Sequence, residues 1–263
     1  MVSRLLIRGM LVGVVAGLLA FGFARLFAEP PVDSAIAFEA RLHHQADGAP
    51  AATPADSGTP SSAGTGTMDM PAPGAGEAEL VSRAVQAGAG LFTGVVLYSA
   101  AFGGLFALVF AFALGRIGRL GPRPLAVVLA GLGFVVLVLV PALKYPANPP
   151  SVGEADTIGL RTALFCVMLL VSLGAAALAF IVRERLTRSL GDWNAALAAA
   201  GVFVVVVAAA MLALPGVNEV PEHFPAAVLW RFRVASLGTQ AVMWATIGLA
   251  FGALTDRSLT RPA

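Results

Sequence analysis

Five long stretches without a charged side chain dominate this sequence. They run over Ala84–Gly115, Pro124–Leu143, Thr162–Val182, Trp193–Val217 and Val234–Thr255. A helix needs about 20 mostly apolar residues to cross the hydrocarbon core of a bilayer. Each stretch is therefore predicted to span a membrane as a helix. The first is longer than a span requires, so it is expected to tilt or to project from one side.

A sixth apolar stretch lies at the N-terminus, between Gly9 and Ala24. It reaches spanning length if the flanking side chains of Arg8 and Arg25 extend outward along their methylene groups. The basic start also resembles a signal peptide, but no clear small-residue cleavage site precedes Glu29. An uncleaved helix over residues 1–28 is the preferred interpretation. Gly9, Gly13 and Gly17 share one face of it, where another helix backbone can approach closely.

The composition agrees with a chain that lies in lipid. Hydrophobic residues make up 58% and charged residues only 12% of the 263 positions, whereas a soluble domain carries roughly a quarter charged residues. We therefore predict an all-α, polytopic integral membrane protein with about six transmembrane helices in three hairpins. The single cysteine, Cys166, excludes an internal disulfide. The arginines form short scattered clusters rather than one basic face, so no nucleic-acid partner is expected.

The arginines predict the orientation of the chain. With six spans, four groups of them fall on one side of the membrane: Arg4 and Arg8; Arg116, Arg119 and Arg123; Arg183, Arg185 and Arg188; Arg257 and Arg261. Positive residues mark the cytoplasmic side, so both termini are predicted to be cytoplasmic. Only Glu184, Asp192 and Asp256 of the 15 acidic residues join them there. The outer acids either concentrate cations or simply solvate the outer loops.

The domain organisation follows from these spans. Residues 29–83 form the first outer loop, residues 84–257 a five-helix membrane region and residues 258–263 a cytoplasmic tail. The outer loop begins with DSAIAFEARLHHQ, which is typical of a short amphipathic helix. Residues 46–78 consist mainly of Ala, Pro, Gly, Ser and Thr. Such a segment buries too little apolar surface to offset its ordering entropy, so it is predicted to be disordered.

The other two outer loops resemble one another. They read VPALKYPANPPSVGEADTIGLRT and LPGVNEVPEHFPAAVLWRFRV, and each has a proline at a helix end, then acids, then arginine. The arginines either anchor helix starts at the interface or pair with Glu154, Asp156, Glu219 or Glu222. Candidate residues of this outer mouth are Asn148, Glu154, Asp156, Arg161, Arg231 and Arg233. Internal repeats are common in transporters, with the binding site at their interface.

The predicted spans carry no Asp, Glu, Lys, Arg or His near their middle. Proton-coupled pumps usually place one there, so a self-contained proton antiporter is not expected. Gln240 is the largest polar side chain in these apolar surroundings and requires a partner. It forms either an interhelical hydrogen bond or part of a pathway.

Several segments resemble the CbtA family of predicted bacterial cobalt transporter subunits. They are MVSRLLIRGMLVGVVAGLLAFGFARLFAEPPVDSAIAFE, LKYPANPPSVGEADTIGLRT, NEVPEHFPAAVLWRFRVASLGTQ and FGALTDR. The resemblance covers the chain from end to end, apart from residues 46–78. It implies cobalt import in the inner membrane for cobalamin synthesis, and a small single-span partner, CbtB, with a histidine-bearing tail.

Divalent cobalt accepts imidazole nitrogen and carboxylate oxygen. All three histidines lie in predicted outer loops, and two of them have an acid four residues earlier: Glu39 with His43, and Glu219 with His223. With His44 these residues form a candidate outer capture site. The alternative is that they are ordinary loop residues.

The sequence therefore predicts a membrane subunit of a cobalt uptake system in contact with lipid and divalent metal. Cobalt(II) is the expected cargo, and no permanently bound cofactor is expected. The alternative is a membrane scaffold or assembly factor that transports nothing. An enzyme is not expected, because neither H-E-x-x-H nor a nucleotide-binding loop occurs in the sequence.

Overall fold

The computed structural model describes residues 2–47, 82–116 and 120–260. Within these residues every regular element is helical, as predicted for an all-α chain. Six elements suffice to describe the architecture: α1 (Val2–Phe27), α2 (Glu29–Asp47), α3 (Arg83–Ala113), α4 (Pro122–Lys144), α5 (Ile158–Ala213) and α6 (Ala226–Thr260). Five of them, all except α2, are long and apolar enough to cross a membrane. The predicted disorder of residues 46–78 falls outside the described residues from residue 48 onward, and residues 46 and 47 end α2.

Helix α5 supplies two spans rather than one. Its 56 residues are interrupted at Gly191, whose φ of 75° and ψ of 166° are not helical. A straight helix of this length would extend about 84 Å. Arg161, near the start of α5, nevertheless lies 3.4 Å from Glu219, just beyond its end. The chain therefore reverses at Gly191, and the membrane region has the six predicted spans in three hairpins.

The two ends of the molecule separate as the arginine pattern predicts. Arg8 donates a hydrogen bond to Ser258 at 2.6 Å, and Arg123 lies 2.9 Å from Asp256. These contacts place the start of α1, the start of α4 and the end of α6 together. Glu29 and Arg83 meet at the opposite end, where α1 ends and α3 begins. Both ends of the described chain thus lie on one side.

The main core lies between α1, α3, α4 and α6. Phe106 and Phe110 of α3 pack edge-to-face against Phe251 of α6, with ring centroids 5.4 and 5.1 Å apart. The predicted glycine face of α1 faces α3: a Cβ at Gly17 would lie 2.8 Å from Val96 Cα, and Gly9 faces the backbone of Gly103. Small residues allow this close approach, which replaces the hydrophobic driving force that is absent in lipid.

The outer part of α4 departs from a regular helix before Pro141. The sequence places Pro141 near a helix end, and α4 indeed stops three residues later, at Lys144. Residues Val135–Leu139, just before the proline, form a π-helical turn. Proline lacks an N–H and its ring clashes with the carbonyl four residues earlier, and a wider turn relieves both conflicts. Ser172 of α5 donates a hydrogen bond to the Val136 carbonyl at 2.8 Å, so this irregular turn also fastens α5.

The close approach of α1 and α3 can be tested with two alanine substitutions in α1. A Cβ at Gly13 would lie 2.8 Å from Ala100 Cα, whereas nothing lies within 4 Å of one at Gly22. Gly13→Ala is expected to lower the thermal unfolding temperature of the detergent-purified protein, because overpacking typically costs 1–3 kcal/mol. Gly22→Ala is the matched control and is expected to unfold no earlier than the wild type, since alanine favours a helix. Equal effects of the two changes would contradict the packing.

Candidate functional site

The outer ends of the three hairpins meet in a small apolar cluster. Ala35 of α2, Val152 and Phe224 are all buried there. Phe38 of α2 contacts Phe224 edge-to-face, with ring centroids 5.2 Å apart. The amphipathic helix predicted from DSAIAFEARLHHQ is thus confirmed as α2, and its apolar face covers the loops 145–157 and 214–225. The three outer segments form one cap, named the outer cap below.

Beneath the outer cap lies a cavity of about 730 Å³. It extends from the loop 145–152 to Tyr98 of α3 and Gln240 of α6. Ligand pockets in proteins usually measure 300–1,000 Å³, so this volume suits a small molecule or a hydrated ion. Its polar lining residues are Tyr98, Tyr145, Asn148, Arg161, Thr162, Arg233, Ser236 and Gln240. Four of them, Asn148, Arg161, Arg233 and Gln240, were predicted from the sequence.

Arg161 is held at the mouth of this cavity by the loop between α5 and α6. Its guanidinium lies 3.4 Å from the carboxylate of Glu219. Gly153, with φ of 121°, packs against the guanidinium, and a Cβ there would lie 2.7 Å from Arg161 Cζ. Of the partners considered for Arg161, the structure selects Glu219, and this pair joins the second outer loop to the third.

Glu219 has three groups that stabilise its charged form. The Thr157 hydroxyl, the backbone N–H of Glu154 (3.0 Å) and the charge of Arg161 together hold the pKa of Glu219 below its ordinary value, against the opposing effect of burial. A depressed carboxyl pKa means that the stabilisation is complete above the ordinary value and is lost as pH falls through the lower one. The bridge between the loops therefore persists at neutral and mildly acidic pH.

Arg233 reaches into the cavity from α6. It donates a hydrogen bond to the Asn148 side chain at 3.0 Å, and its Nε is buried without a hydrogen-bond partner. Arg233 therefore lacks the acidic partner that Arg161 has among the described residues. Asn148 also connects α6 with the proline-rich loop after α4.

Tyr98 and Gln240 form the inner end of the cavity. Both side chains line its wall, and Gln240 Oε1 is buried without a hydrogen-bond partner among the described residues. Both residues also line a second cavity of about 360 Å³ between α1, α3 and α6. Gln240 thus lines both cavities, and its part in an interhelical hydrogen bond or in a pathway stays a prediction. Tyr98 was not predicted, because tyrosine in an apolar run is also typical of packing.

The remaining mouth residues lie apart from the cavity. Arg231 lines a separate pocket of about 430 Å³ between α1, α2 and α6. Glu154 and Asp156 have exposed side chains. Thr157 occupies the N-cap position of α5 but makes no side-chain capping bond. Its hydroxyl lies 3.0 Å from the Glu154 carbonyl and beside the Glu219 carboxylate.

The candidate metal ligands are only partly described. Glu39 accepts a hydrogen bond from Ser151 at 2.9 Å, Glu219 pairs with Arg161, and His223 is exposed. The side chains of His43 and His44 lie outside the described residues. Among the residues whose side chains are described, no group of three or more His, Cys, Asp or Glu could hold a metal. The capture site stays a prediction.

A further ion-pair cluster, which was not predicted from the sequence, joins the two ends of the first outer segment. Arg83 of α3 contacts Glu29 at 2.5 Å and Asp33 at 3.1 Å, and Arg25 lies 3.7 Å from Glu29. The acids belong to the start of α2, where negative charge favours the helix dipole. Arg83 lies at least 50 residues from its two acidic partners, so local sequence signals could not predict these pairs. The sequence does mark the beginning of α2, through Pro30 and Pro31 in its first turn.

The Arg161–Glu219 pair can be tested by exchanging its charges. Arg161→Glu is expected to lower the thermal unfolding temperature in detergent, because it places two carboxylates together. Adding Glu219→Arg is expected to restore more than half of the loss. Adding Asp156→Arg instead is the matched control and should restore nothing, since Asp156 is exposed and unpaired. Rescue by Asp156→Arg but not by Glu219→Arg would contradict the assigned pair.

A comparison with known protein families agrees with the membrane fold. The family model described as probable cobalt transporter subunit (CbtA) matches residues 2–256. No curated protein and no solved structure matches the chain. Because the matched residues include all six spans and the outer cap, the chain belongs to the CbtA family of probable cobalt transporter subunits.

Proposed function

We propose that this protein is the subunit through which cobalt(II) crosses the bacterial inner membrane into the cytoplasm, where it supplies cobalamin synthesis. One observation carries the proposal: the cavity of about 730 Å³ that reaches from the outer cap to Tyr98 and Gln240. Gln240 lies 14 residues after the start of α6, which is about 21 Å along a helix. The cavity therefore penetrates well below the outer surface, and its inner end supplies polar groups in apolar surroundings.

The position of the cavity suggests how access could change. The cavity lies between α5 on one side and α3, α4 and α6 on the other. Helix α5 makes its main membrane contacts with the outer part of α4, Val135–Lys144. Relative movement of such units is the usual basis of alternating access. In this mechanism the α5 hairpin moves against the other four spans, and the Tyr98–Gln240 pair opens or closes the inner end.

The charges and the membrane potential support the inward direction. Glu154, Asp156 and Glu222 have exposed side chains on the outer cap, and exposed acids raise the local concentration of cations. With the predicted orientation, both termini lie in the cytoplasm. A divalent cation that enters moves down an inside-negative potential, worth about 2.3 kcal/mol per charge for each 100 mV.

The family membership also supports an assembly. A transporter subunit works with partners, and the resemblance to CbtA proteins implies the small single-span CbtB. In this assembly CbtB contributes its histidines, and the present chain contributes the membrane passage without a catalytic role. Surrounding lipid covers the remaining apolar faces.

Metal accumulation in cells tests the transport function. Cells that express the gene are expected to accumulate several-fold more cobalt than deletion cells, measured by elemental analysis across several divalent metals. Gln240→Leu should abolish the difference, because it removes the polar group at the inner end of the cavity. The control is Thr246→Val, whose hydroxyl bonds only the carbonyl of Val242 on its own helix. Equal metal contents in expressing and deletion cells would favour the scaffold alternative.

The outer capture site is tested separately. Replacing His43, His44 and His223 together with alanine is expected to raise the external cobalt concentration needed for half-maximal uptake, while the maximal rate changes little. This follows because capture ligands act before passage. The control carries Gln45→Ala, a change in the same segment that removes no imidazole. Unaltered uptake in the triple variant at low cobalt would eliminate the capture site.

A further inference from the structure

The charge of the cavity does not match that of a bare metal ion. Its two charged lining residues are both arginines, Arg161 and Arg233. Glu219 compensates Arg161 from the neighbouring loop. Arg233 has only the neutral side chain of Asn148 as a partner among the described residues. The cavity thus presents one uncompensated positive charge to whatever enters it.

The guanidinium of Arg233 also has unused hydrogen-bonding capacity. A guanidinium carries five N–H donors in a planar fork, and the Nε of Arg233 is buried without a partner. Arg233 is partly buried, and the Asn148 side chain is its partner among the described residues. A carboxylate would meet its fork with two parallel hydrogen bonds. A divalent cation at the same place would be repelled.

The other walls suit a small organic anion. Leu137, Val138, Phe165 and Leu237 supply apolar surface, and Tyr98 and Gln240 add polar groups at the inner end. Binding pockets for small molecules are mostly apolar, with a few convergent polar groups that fix orientation. The volume of about 730 Å³ exceeds what a single hydrated ion requires.

We propose that this cavity binds a small carboxylate anion through Arg233, and that the metal reaches the protein as a complex with such an anion. The carboxylates of the complex pair with the guanidinium, and the metal keeps oxygen ligands that it brings with it. The second half of this inference rests on the proposed transport of cobalt. The first half, anion binding, does not.

Binding of citrate to the purified protein tests the first half of the inference, that the cavity binds a carboxylate anion through Arg233. Radiolabelled citrate, alone or with equimolar cobalt(II), is equilibrated with the detergent-solubilised protein. Arg233→Gln is expected to weaken citrate binding roughly ten- to a hundredfold, the range for hydrogen bonds to a charged group. Arg233→Lys, which keeps the charge, should retain more affinity than Arg233→Gln. Arg231→Gln is the matched control, because Arg231 lines a different pocket, and it should bind as the wild type does.

Two results of the binding experiment would overturn the anion site. One is an affinity for citrate that is equal in wild type and in Arg233→Gln. The other is phosphatidylglycerol that co-purifies through Arg233 and is not displaced by citrate, which would assign the cavity to a lipid headgroup. The Arg233→Lys and Arg231→Gln proteins show whether a loss reflects the charge or a general loss of folding.

Cobalt uptake by cells tests the second half of the inference, that the metal reaches the protein as a complex with the anion. Radioactive cobalt is supplied either as the hydrated ion or with a tenfold excess of citrate. Faster gene-dependent uptake from the citrate complex, lost in Arg233→Gln and kept in Arg231→Gln, is the expected result. Gene-dependent uptake that citrate suppresses would overturn the complex as the delivered form while leaving cobalt transport intact. Gene-independent uptake of both forms would instead remove the proposed function, without bearing on citrate binding to the purified protein.

Discussion

The close contact between the backbones of α1 and α3 is the constraint on which the rest of the membrane region depends. Lipid is as apolar as leucine, so spans associate only where they pack closely. Glycines at Gly9, Gly13 and Gly103 allow that approach. Gly248 and Gly252 have the same role between α6 and α4, where a Cβ at either would collide with Ala130 or Ala126. Four spans are joined in this way around the phenylalanine core.

The α5 hairpin is attached differently, and the cavity follows from this difference. Its contacts concentrate on the outer part of α4, where Ser172 bonds the Val136 carbonyl and Lys144 donates to the Met211 carbonyl at 2.8 Å. Between these anchors and α6 the helices are not closely packed, and the cavity occupies the space. A tightly packed unit and a hairpin held at one end are suited to movement against each other.

Polar contacts in the outer cap compensate for this loose attachment. Arg161 pairs with Glu219, Arg233 bonds Asn148, and Arg83 pairs with Glu29. The first two contacts each join two different outer segments, and the third joins the two ends of the first outer segment, so the cap sets the separation of the hairpins above the cavity. The cap also divides the charges: acids such as Asp156 and Glu222 have exposed side chains on its surface, while Arg233 lines the cavity.

The number of spans, the common side of the two chain ends and the glycine face of α1 could be predicted, because each depends on properties that are local along the chain. Apolar length determines whether a helix can span lipid, and arginines beside a span determine its direction. The same local signals identified α2 and four of the polar residues in the cavity.

Local signals could not predict which residues far apart in the sequence contact each other. The arginines permitted several acidic partners, and only the folded loops bring Glu219 rather than Asp156 to Arg161. The π-helical turn before Pro141 was not predicted, and Ser172 of another helix bonds one of its carbonyls. Tyr98 lines the cavity only because the fold brings α3 and α6 together there. The sequence by itself determined six helices with polar ends, since uninterrupted apolar runs of about 20 residues match the length of a helix that crosses lipid and satisfies its own backbone hydrogen bonds. The tertiary structure decided where those helices leave a cavity and which charge lines it, because both depend on contacts between residues far apart in the chain.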